Sequence, residues 1–498
     1  MAQAGTVTIE FSHLLARARA NWLIGDAAGT WAALDQAEAR VGDDPSRRVR
    51  VLAERSVAYL RAEQTDLALT AARACLALAA TLDPGAARRP AVRAAAADAR
   101  VSLALARAGA AGGHPADPDT VSDALADLDA VAAQDDPALG IPRSRAISGA
   151  LVLRLDSIEA DLGSGDGEAQ AWIWVSRARA LCEQLPDPGT VVRQAVDLGL
   201  RTGQWERAWD HALSDIDRDK HRNEQVALLA KAAQLAWERG WDTHARDYGQ
   251  RALAASVAVD LPWVRTYAYL GGVIAAAAGA GSLAGALAAY IRCTTRSGHR
   301  TRPNRAWLAA QVALDAGHSP AQVRTFLAHV LPDGLHPQAL AAAAEIHTRY
   351  REGRPVPEHL FTAADLTGQI APDRARILLA RARQRIRDGL ANAAAGDLAR
   401  ARGVLRHWPG RVLDEVEEAI TTVLPSVPAT PAERRVLDLL VEGWTNNQIA
   451  ARLGCAPRTV AVHVSSLLRN AGASSRTELA GGELRRRLLV NSGGTPPP

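Results

Sequence analysis

The chain has 498 residues and a formal net charge of +4, so it is long enough for several domains or for one domain and a long repeat array. Its four cysteines lie far apart and form no C-x-x-C pair, which argues against a metal site or a disulfide framework and favours a reducing cytoplasm. No basic and apolar leader follows Met1, and the longest apolar run, 270–280, is too short to span a membrane. We therefore expect a soluble, cytoplasmic protein with no membrane partner.

Residues 1–424 show the periodicity of amphipathic helices almost throughout, and strand-like alternation is confined to Thr6–Phe11. Apolar residues three and four positions apart place one face of each helix towards a core. Six helices are predicted in the first third of the chain, near residues 13–39, 47–63, 65–82, 90–110, 117–134 and 145–162. This part of the chain therefore predicts an all-α fold.

A repeating pattern is clearest from Gly203, which Trp205, Ala208 and Ala212 follow. Glycines in the same role stand at positions 203, 240, 281, 317, 353 and 389, in steps of 37, 41, 36, 36 and 36 residues. We expect each glycine to end the first helix of a pair, and the small residues to let the second helix pack closely against the first. A period of this length with two helices per unit indicates a helical-repeat solenoid.

The order of glycine, aromatic and alanine positions resembles the tetratricopeptide repeat (TPR), although the copies are degenerate. The resemblance implies a TPR-like sensor or interaction region over residues 1–424, with a protein, a peptide or a small molecule as its effector. Trp205, Trp209, Trp237 and Trp241 lie around two of the repeats. They are interpreted as solenoid core, with a groove for a ligand or a peptide as the alternative.

Four short helices are predicted in residues 430–490, after a linker at 425–429 and before a disordered tail at 491–498. Ser or Thr followed three residues later by Glu or Gln predicts a capping box at a helix start, and glycine predicts a helix end. The capping boxes are Thr430 with Glu433, Thr445 with Gln448, and Ser475 with Glu478, and the glycines are Gly443, Gly454 and Gly472.

The second and third of these helices, near 446–453 and 457–470, are joined by a tight turn at Gly454. Their expected inner faces consist of Ile449, Ala450 and Leu453 on the second helix and Val460, Val464, Leu467 and Leu468 on the third. Because the outer face of the third helix is small, polar and basic, the pair is predicted to be a helix-turn-helix. In this motif the second helix of the pair enters the major groove of DNA and the first crosses the backbone.

This segment resembles the LuxR-type (FixJ/NarL-like) DNA-binding domain at the C-terminus of many bacterial transcription regulators, over about the last eighth of the chain. The matching positions are Thr430, Pro431, Glu433, Val436, Leu437, Leu440, Gly443, Asn446, Ile449, Ala450, Leu453, Thr459, Val460, His463, Val464, Ser465, Gly472, Ser475, Arg476 and Thr477. The resemblance implies a transcription regulator whose partners are double-stranded DNA and RNA polymerase. It also implies a homodimer formed through the fourth helix, residues 476–489.

The outer face of the third helix supplies most of the candidate DNA contacts. Arg458 is expected at a phosphate and Val462 at a thymine methyl group, whereas Arg469 is expected at a base or a phosphate. The full candidate set is Thr445, Asn446, Arg458, Thr459, Ala461, Val462, Ser465, Ser466, Arg469 and Arg476. The alternative for these residues is the exposed face of a small helical bundle, and His463 is interpreted as structural.

Several positions depart from the family pattern. Ala456 stands where Ser or Thr is frequent, and the missing side-chain cap costs about 1 kcal/mol. Ala461 replaces a common Lys or Arg, and Asn470 replaces a frequent Lys. Gly481 and Gly482 reduce the propensity of the fourth helix by about 2 kcal/mol. These departures favour the alternative function, a TPR-like protein-interaction scaffold whose helix-turn-helix does not bind DNA.

The charge of the chain is concentrated at its C-terminal end. From residue 430 onwards there are nine arginines and five acidic residues, which give a net charge of +4 and leave residues 1–429 neutral. Nucleic-acid binding predicts this distribution. The sequence has no phosphate-binding loop, no H-E-x-x-H and no G-x-S-x-G motif, so neither an enzyme nor a cofactor is expected.

Overall fold

The structure is a computed structural model that describes residues 2–62, 64–109, 118–157, 165–183, 189–216, 222–257, 259, 261–296, 303–331, 338–364, 370–423 and 427–491. These residues form 26 α-helices and one short 3₁₀-helix, and they contain no β-strand. The predicted all-α fold is confirmed. The alternation at Thr6–Phe11 produces no strand, because these residues lie within the first helix. Of the expected tail only Asn491 is described, as a helix end, and residues 425 and 426 of the expected linker lie outside the described part.

The chain divides into two compact units, of which the first contains residues 1–354 and 358–370. Its helices are α1 (Ala2–Ile24), α2 (Ala27–Glu38), α3 (Pro45–Arg61), α4 (Thr65–Ala80), α5 (Pro84–Ala87), α6 (Pro90–Gly109), α7 (Pro118–Ala132), α8 (Gly140–Ser157), α9 (Gly165–Cys182), α10 (Gly189–Thr202), α11 (Trp205–Ile216), α12 (Arg222–Arg239), α13 (Asp242–Ser256), α14 (Pro262–Ala277), α15 (Leu283–Arg296), α16 (Pro303–Asp315), α17 (Pro320–Val330), α18 (Gln338–Arg351) and α19 (Glu358–Ala363). The 3₁₀-helix, Pro137–Leu139, precedes α8. The stretch predicted as one helix at 13–39 is two helices, divided at Gly25.

The second unit contains residues 355–357 and 371–498. Its helices are α20 (Ala371–Arg387), α21 (Ala391–Val404), α22 (Arg411–Val423), α23 (Pro431–Val441), α24 (Asn446–Leu453), α25 (Pro457–Ala471) and α26 (Arg476–Asn491). The buried Asp397 of α21 accepts hydrogen bonds from Arg381 and Arg385 of α20, at 2.7 Å each, and these bonds join the two helices.

The glycines of the predicted repeat lie between paired helices. All six have a positive φ, from 68° at Gly353 to 112° at Gly281, a conformation that glycine adopts without the steric cost of a Cβ atom. The helix pairs that they separate are α10 and α11, α12 and α13, α14 and α15, α16 and α17, α18 and α19, and α20 and α21. The predicted turn positions are therefore confirmed.

Close contacts between neighbouring helices depend on small residues. A Cβ atom added to Gly249 of α13 would lie 2.3 Å from the carbonyl oxygen of Gly271 in α14. A Cβ atom added to Gly199 of α10 would lie 2.6 Å from the Cβ atom of Ala208 in α11. Both distances are shorter than atoms can approach, so neither glycine tolerates a side chain unless the helices move apart.

Three of the four clustered tryptophans pack against one another. The rings of Trp205 and Trp209 stack with their centroids 5.4 Å apart, and Trp241 meets them edge-on at 5.0 and 5.5 Å. Trp205 and Trp237 are buried, as the core interpretation predicts, whereas Trp241 is 37% exposed. The direct ring contacts contribute about 0.5–1.5 kcal/mol for each pair beyond the burial of area.

Two glycines, one inside α21 and one in the turn before it, test whether the repeat turns require a positive φ. Gly396 is exposed inside α21 and Gly389 precedes the helix with φ +74°, and neither has an atom within 4 Å of an added Cβ. We expect Gly396→Ala to stabilise α21 by about 0.5–1 kcal/mol and Gly389→Ala to destabilise the turn by about 1–2 kcal/mol.

Hydrogen exchange of the α20 and α21 amides in the full chain measures both effects. Slower exchange in Gly396→Ala and faster exchange in Gly389→Ala are expected. Equal effects of the two substitutions would contradict the assignment of the positive φ.

Candidate nucleic-acid interface

The last four helices surround one small hydrophobic core. Its buried members are Val427, Val436, Leu437, Leu440, Ile449, Ala450, Val460, Val464, Leu467 and Leu479. Leu453 and Leu468, also predicted inside, pack against this core as partly buried residues. The segment before α23 joins the core through Val427, and the Asn470 side chain donates a hydrogen bond to the Pro428 carbonyl at 2.9 Å. Asn470, which departs from the family pattern, therefore ties the end of α25 to the start of this domain.

Local sequence fixes the starts of α23 and α24. The Thr430 hydroxyl accepts from the Glu433 amide, while the Glu433 carboxylate accepts from the Thr430 amide at 2.8 Å. Thr445 and Gln448 form the same reciprocal pair. Both predicted capping boxes are confirmed, and each satisfies two amides that have no partner within the helix.

The start of α26 has more donors than the prediction specified. The Ser475 hydroxyl accepts from the Glu478 amide at 3.1 Å, as a capping box requires. The Glu478 carboxylate accepts from the amide and the hydroxyl of Ser474, and these bonds together with the Ser475 amide lower the pKa of Glu478. Ser474 thus adds two donors to the carboxylate of the predicted capping box.

A left-handed turn joins α24 to α25. Gly454 has φ +67° and ends α24, and Gly472 has φ +61° and ends α25, as predicted for both. Ala456 precedes α25 and supplies no side-chain hydrogen bond, which confirms the expected loss of the cap. Pro457 at the first position of α25 has no N–H that needs a partner, which reduces the consequence of this loss.

The outer face of α25 is exposed over its whole length. Arg458, Thr459, Val462, Ser465 and Arg469 are exposed, and the Val462 side chain is 64% accessible. Ala461, the candidate that lacks the common basic side chain, is half-buried. Val462 is therefore not part of the hydrophobic core of the domain.

Ser466 turns towards the domain. It is half-buried and forms a hydrogen bond with the Glu433 carboxylate. This bond, the two bonds from Thr430 and the nearby His463 lower the pKa of Glu433 to about 2. Ser466 and Glu433 thus connect α25 to the start of α23.

Two further candidates, Asn446 and Arg476, bind each other. The Arg476 guanidinium donates to the Asn446 side-chain oxygen at 2.7 Å and also to the Trp444 carbonyl. Arg476 is half-buried at the first position of α26, and Asn446 begins α24. This arginine therefore holds the N-terminus of α24 against α26, while Thr445 is exposed beside it.

Apart from Arg476, the arginines of the domain whose side chains the structure describes fall into two groups. Arg486 and Arg487 donate to the buried Glu483 and Arg434 lies 3.8 Å from it, so these three side chains are held within the domain. Four arginines are exposed and have no hydrogen bond or ion pair to any described residue: Arg435, Arg452, Arg458 and Arg469. Arg458 and Arg469 were predicted from the sequence, whereas Arg435 and Arg452 were not. Only the absence of a partner distinguishes these two from the other arginines, and the sequence does not show it.

Helix α26 remains continuous through its two glycines. An added Cβ at Gly482 would meet no atom within 4 Å, so this glycine is not required by packing. Glu483 is buried beside it, whereas Leu484 is 45% exposed. The hydrogen bonds from Arg486 and Arg487 to Glu483 offset part of the propensity that the glycines remove.

Comparison with known proteins assigns this domain. Residues 428–481 match the family described as bacterial regulatory proteins, luxR family. The chain is 45% identical over 53 residues to the transcriptional regulatory protein UhpA of Salmonella typhimurium, which covers 11% of this chain and 27% of that protein. It is 48% identical over 50 residues to the response regulator Rre1 of Synechocystis sp., which covers 10% of this chain and 22% of that protein.

The C-terminal part of the chain is thus a LuxR-family helix-turn-helix domain. The chain spans about a quarter of the length of the curated relatives that it matches. The solved structure of Naa15/Naa10 bound to HypK-THB aligns with 97% of this chain and 78% of its own, at 12% identity. The TM-score of 0.20 is too low to indicate a shared fold. Among the described residues no helix is long and apolar enough to cross a membrane.

The pKa of Glu433 leads to a prediction about acid stability. Because this pKa is lowered from 4.5 to about 2, the ionised carboxylate stabilises the domain above pH 4.5, and the contribution is lost as the pH falls towards 2. Glu433→Gln keeps an acceptor for the capping box but does not titrate. We expect the variant to exchange its α23 and α25 amides faster than the natural protein at pH 7, with a difference that shrinks below pH 4.

Exchange of the two proteins is compared at each pH in the full chain, so that intrinsic exchange rates cancel. Glu442→Gln, which alters an exposed acid at the other end of α23, serves as the control and should show no such pH-dependent difference. A Glu433→Gln difference that is constant from pH 7 to pH 3 would contradict the assigned pKa.

Proposed function

We propose that the protein is a DNA-binding transcription regulator in which α25 lies in the major groove and α24 crosses the backbone. The observation that carries this proposal is the outer face of α25, where unpaired Arg458 and Arg469 stand at the two ends of a row of small side chains. Eleven residues along a helix correspond to about 16 Å, and the major groove is about 12 Å wide. The two guanidinium groups can therefore reach phosphates while the residues between them face the bases.

The residues between the two arginines offer few bidentate contacts to bases. Val462 is suited to apolar contact with a thymine methyl group, and Thr459 and Ser465 each offer one hydroxyl. Ser466 and Arg476 act through other residues, Ser466 by fixing α23 and Arg476 by holding Asn446 at the start of α24. With so few direct readers, the shape and deformability of the DNA contribute a large part of the specificity.

The N-terminal helical repeats are proposed to control this activity as a TPR-like sensor region over residues 1–424. The paired helices and the positive-φ glycines between them support the repeat interpretation. In this proposal an effector binds the repeats, the 430–490 domain is presented to DNA in the cytoplasm, and RNA polymerase is the downstream partner. A homodimer through residues 476–489 is part of this proposal, and Leu484 on this helix is 45% exposed.

The salt dependence of DNA binding tests the proposal. Fluorescence anisotropy of the full protein with DNA from its own upstream region should show an affinity that falls steeply as salt increases, because bound phosphates release counterions. Arg458→Ala with Arg469→Ala removes two phosphate contacts and should reduce the slope of log K against log salt by about two.

The matched control is Arg400→Ala with Arg406→Ala, which removes the same charge from two exposed arginines in and after α21. It should leave the slope unchanged. If the slope decreased equally in the two double variants, the effect would be one of net charge and not of the outer face of α25. Absence of binding by the natural protein, both with and without the N-terminal repeats, would favour the scaffold alternative.

The apolar contact of Val462 has its own test. Replacing a single thymine in the bound DNA by deoxyuridine removes one methyl group. At the thymine that Val462 contacts, this replacement should weaken binding several-fold. The loss should not exceed the roughly 1–3 kcal/mol that a good base contact contributes. Val462→Ala should bind both DNAs equally. If the deoxyuridine effect is the same in the variant, another residue contacts that methyl group.

A further inference from the structure

The end of α1 packs against residues that are about two hundred positions further along the chain. Trp22, near the end of α1, is buried with Val226, Val259, Leu261, Val264 and Ala268 from α12, from α14 and from the segment between α13 and α14. The guanidinium of Arg61, at the end of α3, lies 6.0 Å from the Trp22 ring. Trp22 is thus buried against α12, α14 and the segment that precedes α14.

A polar contact fixes the same junction. The buried Asn223 side chain donates to the Trp22 carbonyl at 2.7 Å. The Gly25 amide also donates to that carbonyl, at 3.0 Å, so the end of α1 is bound both by its own turn and by α12.

Gly25 fits this junction for two separate reasons. Its φ of +85° favours glycine, and an added Cβ would lie 2.7 Å from both the Asn223 side-chain oxygen and a Val259 methyl group. Gly42, between α2 and α3, has φ +56° but no atom within 4 Å of an added Cβ. Substitutions of both glycines would strain the backbone, but only a substitution of Gly25 would also disturb the contact with Asn223 and Val259.

The junction closes a circuit of helices. Six non-consecutive helices form a series in which α1 packs on α3, α3 on α6, α6 on α8, α8 on α10 and α10 on α12. Helix α12 then packs on α1. All the remaining contacts in this series join helices that are close to each other in the sequence, as in any helical-repeat array. The contact between α12 and α1 is the one that joins the two ends of the series.

Ion pairs lie along the same series of helices. Arg19 of α1 pairs with Glu54 of α3, Arg145 of α8 pairs with Asp98 of α6 at 2.8 Å, and Lys231 of α12 pairs with Asp197 of α10. Glu54, Asp98 and Lys231 are buried. Since each pair connects adjacent members of the series, none of them replaces the junction at Trp22 if it opens.

We propose that Trp22, Gly25 and Asn223 form an intramolecular latch that holds α1 on α12 and α14 and that can release. Release withdraws Trp22 and the partly buried Ala27 and Ala62 from this cluster and breaks the hydrogen bond from Asn223 to Trp22, and it leaves the contacts between the other members of the series intact. The helices can therefore separate at this junction without unfolding. This inference concerns the N-terminal unit alone and does not depend on DNA binding.

Gly25→Ala and Gly42→Ala are compared by hydrogen exchange of the full chain and by small-angle scattering. Gly25→Ala should accelerate exchange at least tenfold both in residues 15–25 and in residues 261–268, and it should increase the radius of gyration. Exchange in α16, which contributes no residue to the junction, should stay unchanged. Gly42→Ala should affect only the amides near residue 42.

Asn223→Ala is a milder variant that removes the bond to Trp22 without placing an atom in the groove, and it should produce the same paired increase at a smaller size. Acceleration in residues 15–25 without acceleration in 261–268 would overturn the latch, and so would equal effects of Gly25→Ala and Gly42→Ala. If Gly25→Ala fails to fold, the result for Asn223→Ala decides: an increase in both segments supports the latch, and no increase overturns it.

Discussion

Close approach of helices through small side chains is the constraint on which the N-terminal unit depends. A helix pair in which Gly249 faces Gly271, or Gly199 faces Ala208, can be tight only if neither position carries a larger group. The turn between paired helices has the complementary requirement, since it reverses the chain in few residues and uses glycine with a positive φ. Together these two demands explain why a chain with few aromatic residues builds a long array: alanine and glycine provide the contacts, and tryptophan fills selected gaps.

The C-terminal domain follows a different physical logic. Its core is small, so local capping chemistry and polar contacts hold the helices in place. Thr430, Glu433 and Ser466 connect α23 with α25, and Arg476 connects α26 with α24. These contacts engage the polar side chains that face inwards and leave the outer face of α25 without partners. The proposed DNA contacts Arg458, Val462 and Arg469 all lie on this exposed face.

The sequence was informative where structure depends on neighbouring residues. The bounds of α24 and α25, two capping boxes and the six repeat glycines were predictable because each depends on a few adjacent positions. The two additional bonds from Ser474 to the Glu478 carboxylate were not predicted, because the capping-box pattern considers only Ser475. The inward orientation of Ser466 and the contact between Arg476 and Asn446 depend on how helices cross, which periodicity does not specify. The insertion of Trp22 beside Asn223 joins residues about two hundred positions apart, and no local pattern predicts it.

The central claim, that DNA is bound through the outer face of α25, is tested most directly by photocrosslinking from Val462. A photoreactive p-benzoylphenylalanine replaces Val462 in one protein and the exposed Arg400 of α21 in another, and each is irradiated with DNA from the upstream region. A crosslink to DNA is expected from position 462 and none from position 400. A protein that binds this DNA but crosslinks from position 400 and not from position 462 would contradict it.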